Sequence, residues 1–289
     1  MKPAPFTYHA PVAVAEAIQL LAALGENARP LAGGQSLVPM LNLRLARPDA
    51  IVDLNGITSL AYHRLEEDAP LPNPFSKGRG TTLIMGALCR QRDVERDQQV
   101  LARCSAIADA VPLIGHIGIR NRGTVVGSLA HADPSAEWPV LAVLLDATLE
   151  VEGAQGRRSI AARDFFQGLF ATDLRPGEII VEARFRLPPP GAGSAFVEVA
   201  RRHGDFALGA AAAVVTLGPD GGVATASLAL GGFDSVPIRA TPDPDRVAAE
   251  VHPVDDIHAP ASYRRKLATT LARRALELAE RRARQEAGR

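Results

Sequence analysis

A short apolar run, Pro30-Leu31-Ala32, breaks at Gly33-Gly34-Gln35-Ser36 and resumes as Leu37-Val38-Pro39. Two adjacent glycines admit positive φ and leave no Cβ beside a bulky neighbour. Bare N–H groups in such a turn, followed by the start of a short helix, form a concave donor array that suits a phosphate. A second segment repeats the logic. Thr124-Val125-Val126-Gly127-Ser128 reads as a β-branched run, a Gly-Ser turn and then a helix start, with Asp133 as a good N-cap and Pro134 as a good first helical residue. Two such turns could grip one extended dinucleotide. The alternative for each is a tight connection with no ligand, since a Gly pair is a weak motif by itself. Asp133 has the same two readings, contact or cap, and Asp205 in Gly204-Asp205-Phe206 either meets a ligand or shapes a turn. Arg120 and Arg122 could neutralise phosphate charge, but loop arginines are more often solvated, and they are left out of the candidate site.

The elements that must position these turns are legible from periodicity. Val14, Ile18, Leu21 and Leu24 share one helical face, and Gly25 is the natural stop. That helix leads into the strand before Gly33. Ala50 to Leu54 and Thr82 to Ala87 read as strands, Val100 to Val111 and Trp138 to Leu145 as helices, and Thr148 to Val151 as the strand that follows. This is the β-turn-α-β rhythm of a nucleotide-binding region. Between Tyr62 and Leu83 a segment carrying Pro70, Pro72 and Pro74 reads as an inserted surface loop or hairpin. Leu174-Arg175-Pro176-Gly177 marks a boundary. Beyond it, strands at Glu178 to Arg186, Phe196 to Arg201, Leu208 to Leu217 and Val223 to Leu230 predict an antiparallel sheet, closed by a long helix from Ser262 to Gln285. Arg near the end of that helix suits its dipole and a solvated face, with docking to a partner as the functional alternative.

Three ordered segments, AGGQSLVPMLNLRLARP, IRNRGTVVGSLAHADPSAEWP and RRHGDFALGAAAAV, resemble the FAD-binding medium subunit of the molybdenum hydroxylases, including the medium chain of carbon monoxide dehydrogenase and the flavin domain of xanthine dehydrogenase. The resemblance covers nearly the whole chain in order and spacing. It implies an α+β fold in which two N-terminal α/β subdomains, residues 1–60 and 61–176, hold FAD ahead of a C-terminal sheet-plus-helix domain, residues 177–289. It implies cofactor contacts at Ala32, Gly33, Gly34, Gln35, Ser36 and Leu37 in the first motif, and at Thr124, Gly127, Ser128 and Asp133 in the second. In the third it places Asp205 near the cofactor and Phe196 near the flavin ring. Three positions depart from the family pattern. Val126 stands for the first glycine of a pair, which predicts a reshaped or strand-like segment up to Gly127, because a β-branched residue resists positive φ. Phe196 stands where Tyr is common, and Glu198 where Lys is common.

Composition narrows the function classes. Lys plus Arg and Asp plus Glu number 32 each, so the net charge is zero and nothing draws the chain to nucleic acid or an anionic membrane. No apolar run approaches membrane-spanning length, and Met1 to Thr7 lacks an apolar leader core, so a cytoplasmic location is expected. Cys89 and Cys104 are too few for an iron–sulfur cluster and read as small buried apolar groups. The seven histidines are scattered without zinc-ligand spacing. Nucleophile-elbow, metalloprotease and P-loop motifs are absent, and no acid/base dyad stands out. That pattern fits an electron-transfer flavoprotein, in which the cofactor carries the redox step. By the resemblance, the chain has no substrate activity alone. Its partners are then a small subunit with [2Fe-2S] clusters and a large subunit with the molybdopterin cofactor, as a dimer of heterotrimers. Two other readings stay open: a self-sufficient FAD-dependent oxidoreductase of the same fold, and a relative without cofactor that serves as a binding or scaffold protein.

Overall fold

The computed structural model describes residues 2–69 and 80–288, so the proline-rich insert with Pro70, Pro72 and Pro74 lies outside the described residues. The chain opens with β1 (Thr7–His9), α1 (Val14–Leu24), β2 (Ala28–Leu31), α2 (Leu37–Asn42) and β3 (Ala50–Asp53). These strands form a parallel sheet in the order β1-β3-β2. The pairing is parallel because a helix and a loop carry the chain back between strands. α1 buries Ala17, Ile18 and Leu21 on the face the periodicity predicted. Gly25 ends it at φ 77°, a left-handed conformation that a Cβ would strain.

The second unit holds β4 (His63–Ala69), β5 (Gly80–Gly86), α3 (Gln91–Arg96), α4 (Gln98–Arg103), α5 (Ser105–Ala110), α6 (Ile117–Arg122), α7 (Val125–His131) and α8 (Glu137–Leu144). It continues through β6 (Thr148–Gly153), β7 (Gly156–Ala161), α9 (Ala162–Phe165), β8 (Phe166–Gly168), β9 (Ala171–Thr172) and β10 (Ile179–Arg186). The helix expected over Val100 to Val111 is two helices. The chain is extended at Cys104 (φ −147°, ψ 96°), and Ser194 Oγ accepts the Ala106 N–H at 3.0 Å, satisfying a first-turn donor of α5. A contact from 88 residues away therefore supports the break. Cys89 and Cys104 are both buried and unpaired. α8 is buried on every side, with Trp138 edge-on to Phe185 at 5.7 Å.

β10 joins this unit, in the sheet order β4-β5-β10-β6-β7. It pairs antiparallel with both β5 and β6, so the strand assigned to the C-terminal domain from sequence is the centre of the second sheet. Its residues Ile179 to Ala183 are buried, as a central strand requires. Every pairing in this sheet is antiparallel, although helices alternate with strands along the chain.

The third unit is an antiparallel sheet of β11 (Gly193–Ala200), β12 (Ala207–Leu217), β13 (Val223–Gly231) and β14 (Ile238–Ala240), followed by α10 (Pro244–Glu250) and α11 (Ala261–Ala287). Both faces of the sheet are covered. Phe196, Ala210, Ala212 and Ala229 join the core shared with the first two units, while Ala195, Ala211, Ala213, Leu228 and Leu230 join a core beneath α11. Alanines at Ala268, Ala272, Ala275, Ala279 and Ala283 let α11 lie close to the strands. Arg273, Arg274, Arg281 and Arg284 toward its end are exposed, whereas Arg282 is half-buried. Arg282 is a fork on Asp109 at 2.6 and 3.0 Å and also donates to Ser194 O, tying α11 to α5.

Candidate functional site

The first glycine turn lies directly against the loop between α6 and α7. A Cβ on Gly33 would stand 2.5 Å from Arg122 O, 2.7 Å from Gly123 Cα and 3.0 Å from Thr124 N. Only glycine permits that backbone-to-backbone approach. Gly34 has φ 73°, and its carbonyl accepts the Val38 N–H at 3.0 Å as the chain winds into α2. Beside this junction is a cleft of ≈ 310 Å³, lined by Ala32, Gly33, Gly34 and Gln35 on one side and by Asp53, Asn55 and Arg122 on the other. Leu31, Val38, Pro39 and Asn42 complete its wall. Ser36 and Leu37 follow at the start of α2, outside this lining.

The second motif is built differently from the expected turn. Thr124 is the N-cap of α7, and its Oγ1 accepts the Gly127 N–H at 2.9 Å. Gly127 and Ser128 therefore lie within the helix. A Cβ on Gly127 would stand 2.6 Å from Thr124 Oγ1, so glycine serves the close cap. Val126 is buried and helical, and its β-branch meets no positive-φ requirement. The departure at Val126 is thereby explained by α7, not by a reshaped strand.

Asp133 does not cap α8. Its Oδ1 accepts the Ser135 N–H at 2.9 Å in a turn that precedes the helix, which begins at Glu137 after Ala136. Asp205 lies in a turn closed by its own N–H to Arg202 O at 3.1 Å, with its carboxylate 3.5 Å from Arg201. That turn packs on the loop before α6: a Cβ on Gly204 would stand 2.6 Å from Gly115 O. Phe196 is not among the residues lining the cleft. The ring is 3% exposed and belongs to the large core, because β11 pairs Phe196 with Ala212 on the inward face of the sheet. Arg120, read as solvated, is also buried, held by Glu95 at 2.9 and 3.0 Å and by the carbonyls of Ile114 and Gly115.

A polar network that motif reading missed joins the two sides of the cleft. Asn55 Nδ2 donates to Ala32 O at 2.8 Å, and Asn55 Oδ1 accepts from Arg90 Nη2 at 2.6 Å. Arg90 Nη1 donates to Arg122 O at 2.5 Å. Asp53 Oδ1 takes the Asn55 N–H at 2.9 Å, and Tyr8 donates to Asp53 Oδ2 at 2.5 Å. Burial alone would raise the Asp53 carboxyl, but the hydrogen bonds from Tyr8 and Asn55 and the charge of Arg122 hold it below the usual carboxylate range. Asn55-Gly56 was legible only as a turn. The partners of Asn55 are remote in sequence, and no local signal announces them.

A second cluster pairs Glu137, the first residue of α8, with Glu198 on β11. Burial, then the neighbouring Glu198 charge, pushes the Glu137 carboxyl up to about 8. Burial pushes Glu198 up to about 7, and its Oε2 has no hydrogen-bond partner among the described residues. Both groups bind a proton more tightly folded than unfolded, so stability is lost as pH rises from the unfolded carboxyl value through the folded ones. We predict that Glu137→Gln reduces the fall in melting temperature across about pH 5 to 8, Glu198 keeping the remainder, measured by thermal scans of the full chain at several pH values. A wild-type slope in the variant contradicts the assignment.

Residues 4–190 match the family described as the FAD binding domain in molybdopterin dehydrogenase, and residues 194–242 match the CO dehydrogenase flavoprotein C-terminal domain. The chain belongs to the FAD-binding medium subunits of the molybdenum hydroxylases. It is 37% identical to the alpha subunit of the 6-hydroxypseudooxynicotine dehydrogenase complex of Paenarthrobacter nicotinovorans, covering 98% of this chain and 97% of that subunit. It is 36% identical to the carbon monoxide dehydrogenase medium chain of Afipia carboxidovorans, over 98% and 99% of the two chains. Among solved structures, a carbon monoxide dehydrogenase from Hydrogenophaga pseudoflava superimposes with a TM-score of 0.89 at 33% identity, over 98% of this chain and 99% of that one. The α+β fold and the oxidoreductase-subunit class expected from the three motifs both stand on these findings. No helix among the described residues is long and apolar enough to cross a membrane.

Proposed function

We propose that this medium subunit holds the FAD diphosphate in the cleft between the Gly33-Gly34 turn and the α6–α7 loop. The observation that carries the proposal is the direct approach of Gly33 to Arg122, Gly123 and Thr124, which seats the bare glycine turn against the end of α6 at the edge of one cleft. Ala32 to Gln35 form one side of the grip, and Arg122 at the end of α6 stands on the other. Thr124 fixes the second side by capping α7, and Gly127 makes room for that cap. Asn55 and Arg90 hold the two sides at a set distance. Gly127, Ser128 and Asp133 then act behind the grip, and Asp205 reaches the cofactor only through the turn that packs on Gly115. When bound, FAD supplies the redox chemistry by accepting and donating one or two electrons. The chain's own part is to bind and orient it. A functional division after β10 follows, with β10 belonging to the flavin-binding part rather than to a domain starting at 177.

In the same proposal, electrons arrive from [2Fe-2S] clusters on a small subunit that are fed by a molybdenum cofactor on a large subunit, the three chains assembling as a dimer of heterotrimers. A cytoplasmic location goes with it, supported by the two free buried thiols. The scaffold reading loses its motive, because Val126 is a helical core residue. The full chain, purified alone or with its partners, is expected to release FAD rather than FMN on denaturation. The chain alone is expected to carry no stoichiometric iron or molybdenum. A colourless chain that also fails to bind added FAD contradicts the proposal, and substrate turnover by the chain alone favours the self-sufficient oxidoreductase.

A further inference from the structure

We infer that Arg122 is the cation that neutralises the bound diphosphate, an inference that rests on the proposed FAD site. Arg122 lines the cleft with Gly33 and Gly34, and its exposed side chain acts on Asp53 in the same lining by charge alone, with no hydrogen bond or ion pair to any described residue. Its main chain, by contrast, is pinned: Arg90 donates to its carbonyl at 2.5 Å, and that carbonyl sits over Gly33. The backbone is thus fixed while the exposed side chain is left without a hydrogen-bond or ion-pair partner among the described residues.

The surrounding charges favour an anion there. Burial and the nearby Arg122 charge both lower the Arg90 guanidinium from its ordinary value, so two like charges stand beside one another. Asp93 and Asp53 are the acidic groups acting on Arg90, and the Asp53 carboxylate, which also feels Arg122, is already engaged by Tyr8 and Asn55. The other arginine of α6, Arg120, is consumed by Glu95. An anion in the cleft relieves the repulsion between Arg90 and Arg122 and gives Arg122 a partner that can offer two phosphate oxygens to its donor fork. Bare N–H groups of the glycine turn complete the same anion site.

The test is titration of the deflavinated full chain with FAD, ADP and riboflavin at low and high salt, for wild type, Arg122→Gln and Arg122→Lys. Removing the charge is expected to weaken FAD and ADP about tenfold at low salt, equivalent to about 1.4 kcal/mol. Riboflavin, which lacks phosphate, should bind all three proteins alike. The wild-type affinity for FAD should fall with salt, the Gln variant should respond less, and Lys should restore most of the response. A merely structural arginine moves the melting temperature and leaves the salt response intact. Equal FAD affinity and equal salt response in wild type and Arg122→Gln overturn this inference alone. A wild-type chain that binds no FAD overturns the proposed function and this inference with it.

Discussion

Gly33→Val is expected to give folded protein almost devoid of flavin. The added Cβ stands 2.5 Å from Arg122 O and 2.7 Å from Gly123 Cα, and both neighbours are backbone, so no side-chain rotation relieves the contact. Either the two sides of the cleft separate or the turn shifts, and in both cases the bare donors lose their convergence. A loss of about 2.7 kcal/mol of binding already means a hundredfold weaker affinity. Gly25→Val is the control. Gly25 also has positive φ, at 77° with ψ −170°, but nothing lies within 4 Å of its Cβ position, so the substitution costs only backbone strain of about 1–3 kcal/mol. It should lower the melting temperature and keep the flavin. The quantities to compare are flavin-to-protein ratio and melting temperature for both variants. Full occupancy in Gly33→Val means that the cleft does not hold the diphosphate.

Gly193→Ala is expected to be the most destabilising methyl addition in the third unit. Gly193 begins β11 directly beneath α11, and a Cβ there would overlap the Ala279 carbonyl and the Ala283 N–H. Those atoms belong to the helix backbone, whose closeness depends on the alanine face of α11. Overpacking at such a site costs about 3 kcal/mol or more, a fall in melting temperature of roughly 6–12 °C for a chain of this size. The change also disturbs Ser194, whose carbonyl receives Arg282 and whose hydroxyl holds the Ala106 N–H. Gly221→Ala, in the β12–β13 turn with open space around it, should cost only the strain of its φ of 75°. Equal melting temperatures for the two variants contradict the close packing of β11 on α11.

Local signals were decisive wherever the cause is local. The face of α1 and its stop at Gly25, the breaks at Gly33-Gly34, and the strands around Ile51 and Ile84 follow from side-chain periodicity and backbone freedom within a few residues. The three ordered motifs carried the family and its cofactor for the same reason: glycines beside a ligand leave a short, recognisable pattern. Tertiary structure decided everything that depends on which segments meet. That Gly33 touches Arg122 to Thr124, about ninety residues on, cannot be read from either segment. Nor can the bridge from Asn55 to Arg90, because a turn-forming Asn looks alike with or without remote partners. β10 has the pattern of any buried strand, and only pairing with β5 and β6 placed it in the second sheet. Phe196 alternates with its neighbours as a strand residue must, yet both faces of its sheet are covered, so alternation could not tell cofactor from core. Sequence periodicity reports that a face is buried; the physical identity of what buries it is a property of the assembled chain.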